Sequence, residues 1–182
     1  YGWQFRHFGK KYIPEKLRNT NEPIEKEVDQ ISELINNLKS DPFSRRHILT
    51  TWNPLQIKEA ALPPCHVMSI FKVSSENDKP YIINATPTPK KWLSCQLIMR
   101  SADVFLGVPF NIVSYSLLTH IIANITGLFA KELAVNMVDT HIYVNHLDQA
   151  EEQVNRLPFG FPYIEFNDII KQKIDSKTIK ID

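Results

Sequence analysis

The run NIVSYSLLTHIIANITGLF, Asn111–Phe129, constrains the fold of this chain more than any other stretch. A helix this apolar must be covered by something. Ser114, Ser116, Thr119, His120 and Asn124 interrupt it, whereas a membrane span is usually longer and less polar. The reading is therefore a buried core helix, with Gly127 helping to end it. The rest of the chain has to supply the surface that covers it.

Strand patterns provide that surface. HILTTW, HVMSIFKV, LSCQLIMR and ELAVNMV alternate or run apolar over strand length. Ile24, Val28, Ile31, Leu34, Ile35 and Leu38 recur at helical spacing, with Pro23 in the first turn and DPFSRR beyond the end. NPLQIKEAAL reads as a short helix capped by Asn53, with Pro54 at its first position. NHLDQAEEQVNR places Leu147, Ala150 and Val154 on one helical face, and YIEF and TIKI read as short closing strands. The polar, proline-bearing stretch between Ser74 and Trp92 reads as a hairpin insertion. Helices and strands do not alternate regularly, so an α+β fold on a mixed sheet is expected. No internal repeat is present, and 182 residues suffice for a single domain spanning 1–182.

Composition removes several function classes. A net charge of +1 argues against a broadly basic nucleic-acid binder, so no DNA partner is expected. The two cysteines, Cys65 and Cys95, lie in separate strand-like segments. That excludes a disulfide framework and fits a cytoplasmic, intracellular compartment. No zinc-ligand spacing occurs, no membrane partner is expected, and no signal-peptide pattern opens the sequence. The chain begins at Tyr1 rather than at a methionine, as a processed chain or fragment would.

Four features carry candidate chemistry. In ALPPCH, two prolines fix the backbone immediately before Cys65. Cys65 is either a small core residue or a nucleophile, and a nucleophilic thiolate needs positive charge nearby. The arginines of SRR and MRS, Arg45, Arg46 and Arg100, could form an anion site together with Ser101, or be ordinary surface charge. Asp103 and Asn111 flank the LGVPF loop. Asn111 offers a donor and an acceptor side by side, which suits an imide edge such as that of uracil, or it merely caps the helix. In DTHIYVNH, His141 and Tyr143 would point to one side of an extended segment and could contact a sugar hydroxyl.

The order of YG, Q, RHFG, DP, SRR, TWN, ALPPCH, LSCQL, RSADVFLGVPFNIVSYSLLTH and DTHIYVNH resembles the thymidylate synthase family. The resemblance runs from Tyr1 to about Pro162. It implies a large mixed β-sheet flanked by helices, packed back to back with a second copy in a homodimer. It further implies conversion of dUMP to dTMP with 5,10-methylenetetrahydrofolate as co-substrate and no metal. Cys65 matches the nucleophile and His66 its neighbour. Arg100 and Ser101 match phosphate ligands, while Arg45 and Arg46 match a pair that reaches the partner's site. Asn111 matches the residue that reads the base, and His141 and Tyr143 the deoxyribose contacts. Asp103 matches a residue between base and folate, and Phe5, Trp52, Asn53 and Gly107 fall at folate-side positions.

This sequence departs from the family pattern at Phe5, where tryptophan is usual, and at Ile98-Met99, where Tyr-Gln is usual. It also departs at Val138, where glycine is usual, and across 74–92, where a tight turn is usual. The resemblance implies a chain trimmed at both ends, lacking an N-terminal arginine loop with its glutamate and a C-terminal closing tail. A pyrimidine-nucleotide hydroxymethylase and a weakly active or inactive nucleotide-binding homologue are the alternative readings.

Overall fold

The computed structural model describes residues 1–12, 27–75 and 91–166. Four strands make one sheet in the order β1-β2-β3-β4. They are β1 (Ile48–Thr50), β2 (His66–Ser75), β3 (Lys91–Asp103) and β4 (Phe129–His141). The first two pairings are antiparallel and β3 pairs with β4 in parallel. A parallel pair needs a long crossover, and the apolar run supplies it as α3 (Gly107–Thr126). The α+β fold on a mixed sheet is thus the architecture the sequence implies.

Alternation along β3 builds the core. Leu93, Cys95, Leu97 and Met99 are buried on one face, while Gln96 on the other is exposed. Helix α2 (Gln30–Ser40) adds Ile31, Leu34 and Leu38, and α3 adds Val108, Tyr115, Ile122 and Ala123. Helix α3 ends in a Schellman arrangement. Gly127 takes φ 70°, its N–H donates to the Asn124 carbonyl, and the Leu128 N–H donates to the Ala123 carbonyl. The N-terminus holds a single short helix, α1 (Gly2–Arg6), and a 3-10 turn at Val144–His146 leads into α4 (Leu147–Val154).

Several expectations need correction. Only one stripe of α3 is buried, and Phe110 and Val113 are 72% and 62% exposed. One sheet face covers one helix face, so the run is half-covered rather than enclosed. Helix α2 starts at Gln30, capped by Asp29, whose Oδ1 accepts the Ser32 N–H at 3.0 Å. Val28 instead makes a β-bridge with Phe8, and Pro23 and Ile24 lie outside the described residues. Residues 53–62 form successive turns, not a helix. The Asn53 Oδ1 takes the Leu55 N–H at 3.2 Å, a local bond that competes with helix formation. YIEF joins no strand, and the apolar face of α4 is exposed at Leu147 and Val154. β2 and β3 stay paired out to Ser75 and Lys91. The rest of the 74–92 insertion and TIKI lie outside the described residues.

Candidate active site

Cys65 sits where β2 begins and β3 nears its end. The antiparallel register sets His66 opposite Met99, and the Arg100 N–H donates to the Cys65 carbonyl at 2.9 Å. The Arg100 side chain then turns back on the proline pair. Its Nε donates to the Pro64 carbonyl at 2.9 Å and its Nη2 to the Pro63 carbonyl at 2.6 Å. The same Nη2 lies 3.8 Å from the Cys65 Sγ. Two prolines limit the loop's conformations and one guanidinium ties it to β3. The result is a half-buried free thiol with a cation beside its sulfur. Arg100 also lies over Trp52, 5.8 Å from the ring centroid, within cation–π range.

His66 is held on two sides. The Tyr1 ring stacks on it at 4.6 Å, and the Tyr115 ring meets it edge-on at 5.3 Å. The Tyr1 hydroxyl accepts the N–H groups of Cys65 at 2.7 Å and His66 at 3.3 Å. Burial pushes the His66 imidazole below its ordinary pKa. A hydrogen bond with the Asn111 side chain works the other way. Burial likewise raises the Tyr115 phenol, which stays protonated. Sequence reasoning does not single out Tyr1 or Tyr115. The signal was available, because both stand inside matched motifs, YG and SY.

Asn111 is one helical turn past Gly107, and Asp103 lies just before the helix. A methyl group on Gly107 would stand 3.5 Å from the Asp103 Cβ and 3.7 Å from the Asn111 Oδ1, which are ordinary contacts. The missing side chain leaves room for about one methyl group between Asp103 and Asn111. Asp103 Oδ1 accepts the N–H groups of Phe105 at 3.2 Å and Leu106 at 3.4 Å, shaping the approach to α3. The parallel register brings in the last group, with Ser101 opposite Asp139 and Asp103 opposite His141. The Val104 N–H donates to the His141 carbonyl at 3.0 Å. Tyr143 follows in extended conformation, its ring edge-on to His141 at 5.1 Å.

Cys65, His66, Arg100, Ser101, Asp103, Gly107, Asn111, His141 and Tyr143 thus collect at one end of β3 and around the start of α3. Four expected residues do not join them directly. Arg45 and Arg46 are exposed on the loop before β1. Ile48 pairs with Ile70, so both arginines lie well along β2 from His66, roughly 20 Å at strand spacing. Phe5 packs against the hydrophobic core and lines a cleft of about 360 Å³ with His66 and Tyr115. Asn53 is 4% exposed, and its amide is committed to Gln56 at 2.9 Å and to Leu55. It forms part of the wall of a second cleft, of about 450 Å³, rather than a free ligand group.

The unusual residues are absorbed. Met99 is buried beside Leu97 in the core, where an apolar side chain belongs. Val138 lies within β4, in the extended conformation that β-branched residues favour. Cys95 is buried and its thiol is pushed up to about 11 by desolvation. Among the described residues, no group of three or more His, Cys, Asp or Glu side chains could hold a metal ion. Helix α3 is long and apolar enough to cross a membrane by length and composition alone, but its buried stripe packs on the sheet.

Comparison with known proteins gives a single family. The family model described as thymidylate synthase matches residues 1–181. The probable thymidylate synthase of Schizosaccharomyces pombe is 45% identical over 98% of this chain and 26% of its own length. The thymidylate synthase of Malacoplasma penetrans is 46% identical over 85% of this chain and 49% of its own. The bifunctional dihydrofolate reductase-thymidylate synthase of Paramecium tetraurelia is 44% identical over 91% of this chain and 32% of its own. The chain therefore spans about half the length of these relatives or less.

Proposed function

The chain belongs to the thymidylate synthase family, and on that premise we propose that it carries the nucleophile and most of the nucleotide site of an enzyme that methylates dUMP to dTMP. The observation that supports this most is the Cys65 corner. A free thiol lies 3.8 Å from a guanidinium, on a loop fixed by prolines, beside a hydrogen-bonded His66 and Asn111.

In this reading the Cys65 thiolate adds to carbon 6 of the uracil ring, making carbon 5 nucleophilic. Negative charge that builds on the ring carbonyl is met by Asn111, whose amide also matches the imide edge. Arg100 and Ser101 take the phosphate. Among the described residues no partner occupies the Arg100 Nη1, which leaves it for an anion oxygen. His141 and Tyr143 take the sugar. Arg45 and Arg46, remote from Cys65 in their own chain, serve the site of a second copy, so each complete site draws on a homodimer.

The folate supplies both the one-carbon unit and the hydride, leaving as dihydrofolate once carbon 5 has lost its proton. Asp103 and Gly107, at the entry to α3, stand on the folate side of the site. Trp52 lies on the Arg100 side of the site. Phe5 and Asn53 act one layer behind, in core and cleft wall. When the new methyl group is complete, Cys65 leaves carbon 6 and the ring regains its double bond.

Product analysis with dUMP and 5,10-methylenetetrahydrofolate tests the reading, using the full open reading frame that carries this chain. The expected products are dTMP and dihydrofolate. A hydroxymethylated nucleotide would move the assignment to a hydroxymethylase. Tight nucleotide binding with neither product would move it to a binding homologue.

A further inference from the structure

The Tyr1 hydroxyl reaches the Cys65 backbone from the cap of a short helix that is held largely by contacts with other segments. Helix α1 has five residues and none is buried. A helix that short does not persist alone, and its contact with the core is the partly buried Phe5. Besides Phe5 and the Arg6–Asp29 ion pair at 3.0 Å, a set of side-chain amides fixes it. The Gln30 Nε2, from α2, donates to the Gln4 carbonyl at 2.7 Å and to the Thr50 carbonyl at 2.8 Å. The Gln56 Oε1 accepts from the Gln4 Nε2 at 2.7 Å and from the Asn53 Nδ2 at 2.9 Å. The Gln56 Nε2 donates to the Lys10 carbonyl at 2.6 Å.

Gln56 is the hub of this set, and its place in the chain matters. It stands on the turns that run on through Pro63 and Pro64 into Cys65. Its amide grips residues 4 and 10 on the segment that begins with Tyr1. The two segments therefore meet through Gln56, through a longer bond from the Asn53 Nδ2 to the Gln4 Oε1 at 3.4 Å, and where the Tyr1 hydroxyl takes the Cys65 N–H.

We propose that Gln56 is a positioning residue for Cys65: it holds the Tyr1 segment against the Cys65 loop, so that the Tyr1 hydroxyl fixes the backbone carrying the thiol. Its meaning for catalysis rests on the reading of Cys65 as the nucleophile. The geometry and its test do not. Every acceptor and donor Gln56 uses lies in one of the two segments, so removing its amide loosens one segment from the other. A freed loop lets the half-buried sulfur reach reagent more often.

The test is a double-mutant cycle on the rate of Cys65 alkylation by iodoacetamide, read by intact mass and peptide mapping. Gln56→Leu keeps volume and removes the amide, while Tyr1→Phe removes one hydroxyl. Each is expected to speed Cys65 alkylation about fivefold, the size of one ordinary hydrogen bond. The double variant is expected to match Tyr1→Phe alone, because Gln56 acts through Tyr1. Independent effects, with the double variant faster by about the product of the two factors, would mean Gln56 is only a structural strut and would overturn the proposal. So would a silent Tyr1→Phe. Gln56→Glu keeps the acceptor for Gln4 and Asn53 but loses the donor to Lys10. It carries the same cycle if the leucine variant does not fold, with a smaller rise expected. Covalent capture of a uracil nucleotide is measured separately. Its failure with the cycle intact would count against the enzymatic reading and leave the Gln56 role standing.

Discussion

Two cysteines share one sheet and have opposite surroundings. Cys95 is in the middle of β3, 1% exposed, with its thiol pushed up to about 11. Cys65 is just outside β2, half-buried, beside Arg100 and within reach of the Tyr1 hydroxyl through its backbone. Both are free. The strand that carries Cys95 also supplies the arginine that flanks Cys65: Arg100 lies on β3 beyond the buried Leu93, Cys95 and Leu97. What separates the two is position along a strand. The middle of β3 faces α3 and excludes water, while its end meets a proline-stiffened loop and the start of a helix. Exposure beside a charged group belongs to the strand end here, and tight packing to the strand middle.

Chemical labelling is the bluntest way to break this contrast. Iodoacetamide should modify Cys65 at least about 100-fold faster than Cys95, since a buried, protonated thiol is inert until the fold opens. Peptide mapping reads both sites in one sample, and comparable rates would dissolve the distinction.

Arg100 is the next point to press. Arg100→Leu removes the donors to Pro63 and Pro64 and the cation beside the Cys65 Sγ. Nucleotide affinity, measured calorimetrically, is expected to fall roughly 10–100-fold, the cost of losing charge-assisted bonds. The Cys95 surroundings should not change, so its labelling should stay slow. A variant that binds nucleotide as tightly as the parent would remove Arg100 from the site.

Stability should reverse the ranking. Cys95→Ala deletes a core sulfur and should cost about 1–2 kcal/mol in urea unfolding. Cys65→Ala, at a half-buried loop position, should stay within about 0.5 kcal/mol. Equal losses would mean that Cys65 is packed as Cys95 is.

The smallest expected effect concerns pH. Burial holds the His66 imidazole below its ordinary value of about 6.5. The unfolded chain therefore takes up that proton at higher pH than the folded chain does. Stability from this group is complete above about pH 6.5 and falls as pH drops through the lowered folded value. The partly buried His120 shifts in the same direction. Urea unfolding between pH 7 and pH 5 should show this slope, and His66→Gln should flatten part of it. An unchanged slope would place the titration elsewhere.

Much of this was legible in the sequence because it depends on local chemistry. The alternation through Leu93, Cys95 and Leu97 marks a strand with one dry face, and Gly127 marks the end of α3. The proline pair marks Cys65 as unusual. The family motifs then gather Cys65, Arg100, Asp103, Asn111 and His141 into one list, and the register of β2, β3 and β4 puts them at one end of the sheet. What stayed hidden depends on partners distant in sequence. Nothing local says that Asn53 will spend its amide on Gln56, or that Phe5 will turn into the core. Tyr1 is far from Cys65 along the chain, and its hydroxyl finds the Cys65 backbone only after α1 docks. Apolar content overstates the coverage of α3 because it tells how much can be buried, not how many faces the rest of the fold can cover.

The deciding property of this molecule is whether Cys65 forms a bond to a pyrimidine ring. The most direct measurement is intact mass of the full protein carrying this chain, incubated with 5-fluoro-dUMP and 5,10-methylenetetrahydrofolate. The expected result is a mass increase equal to both ligands, mapped to Cys65, retained in Cys95→Ala and absent in Cys65→Ala. Wild-type protein that binds the nucleotide but shows no added mass, or adds it in Cys65→Ala, would contradict the account.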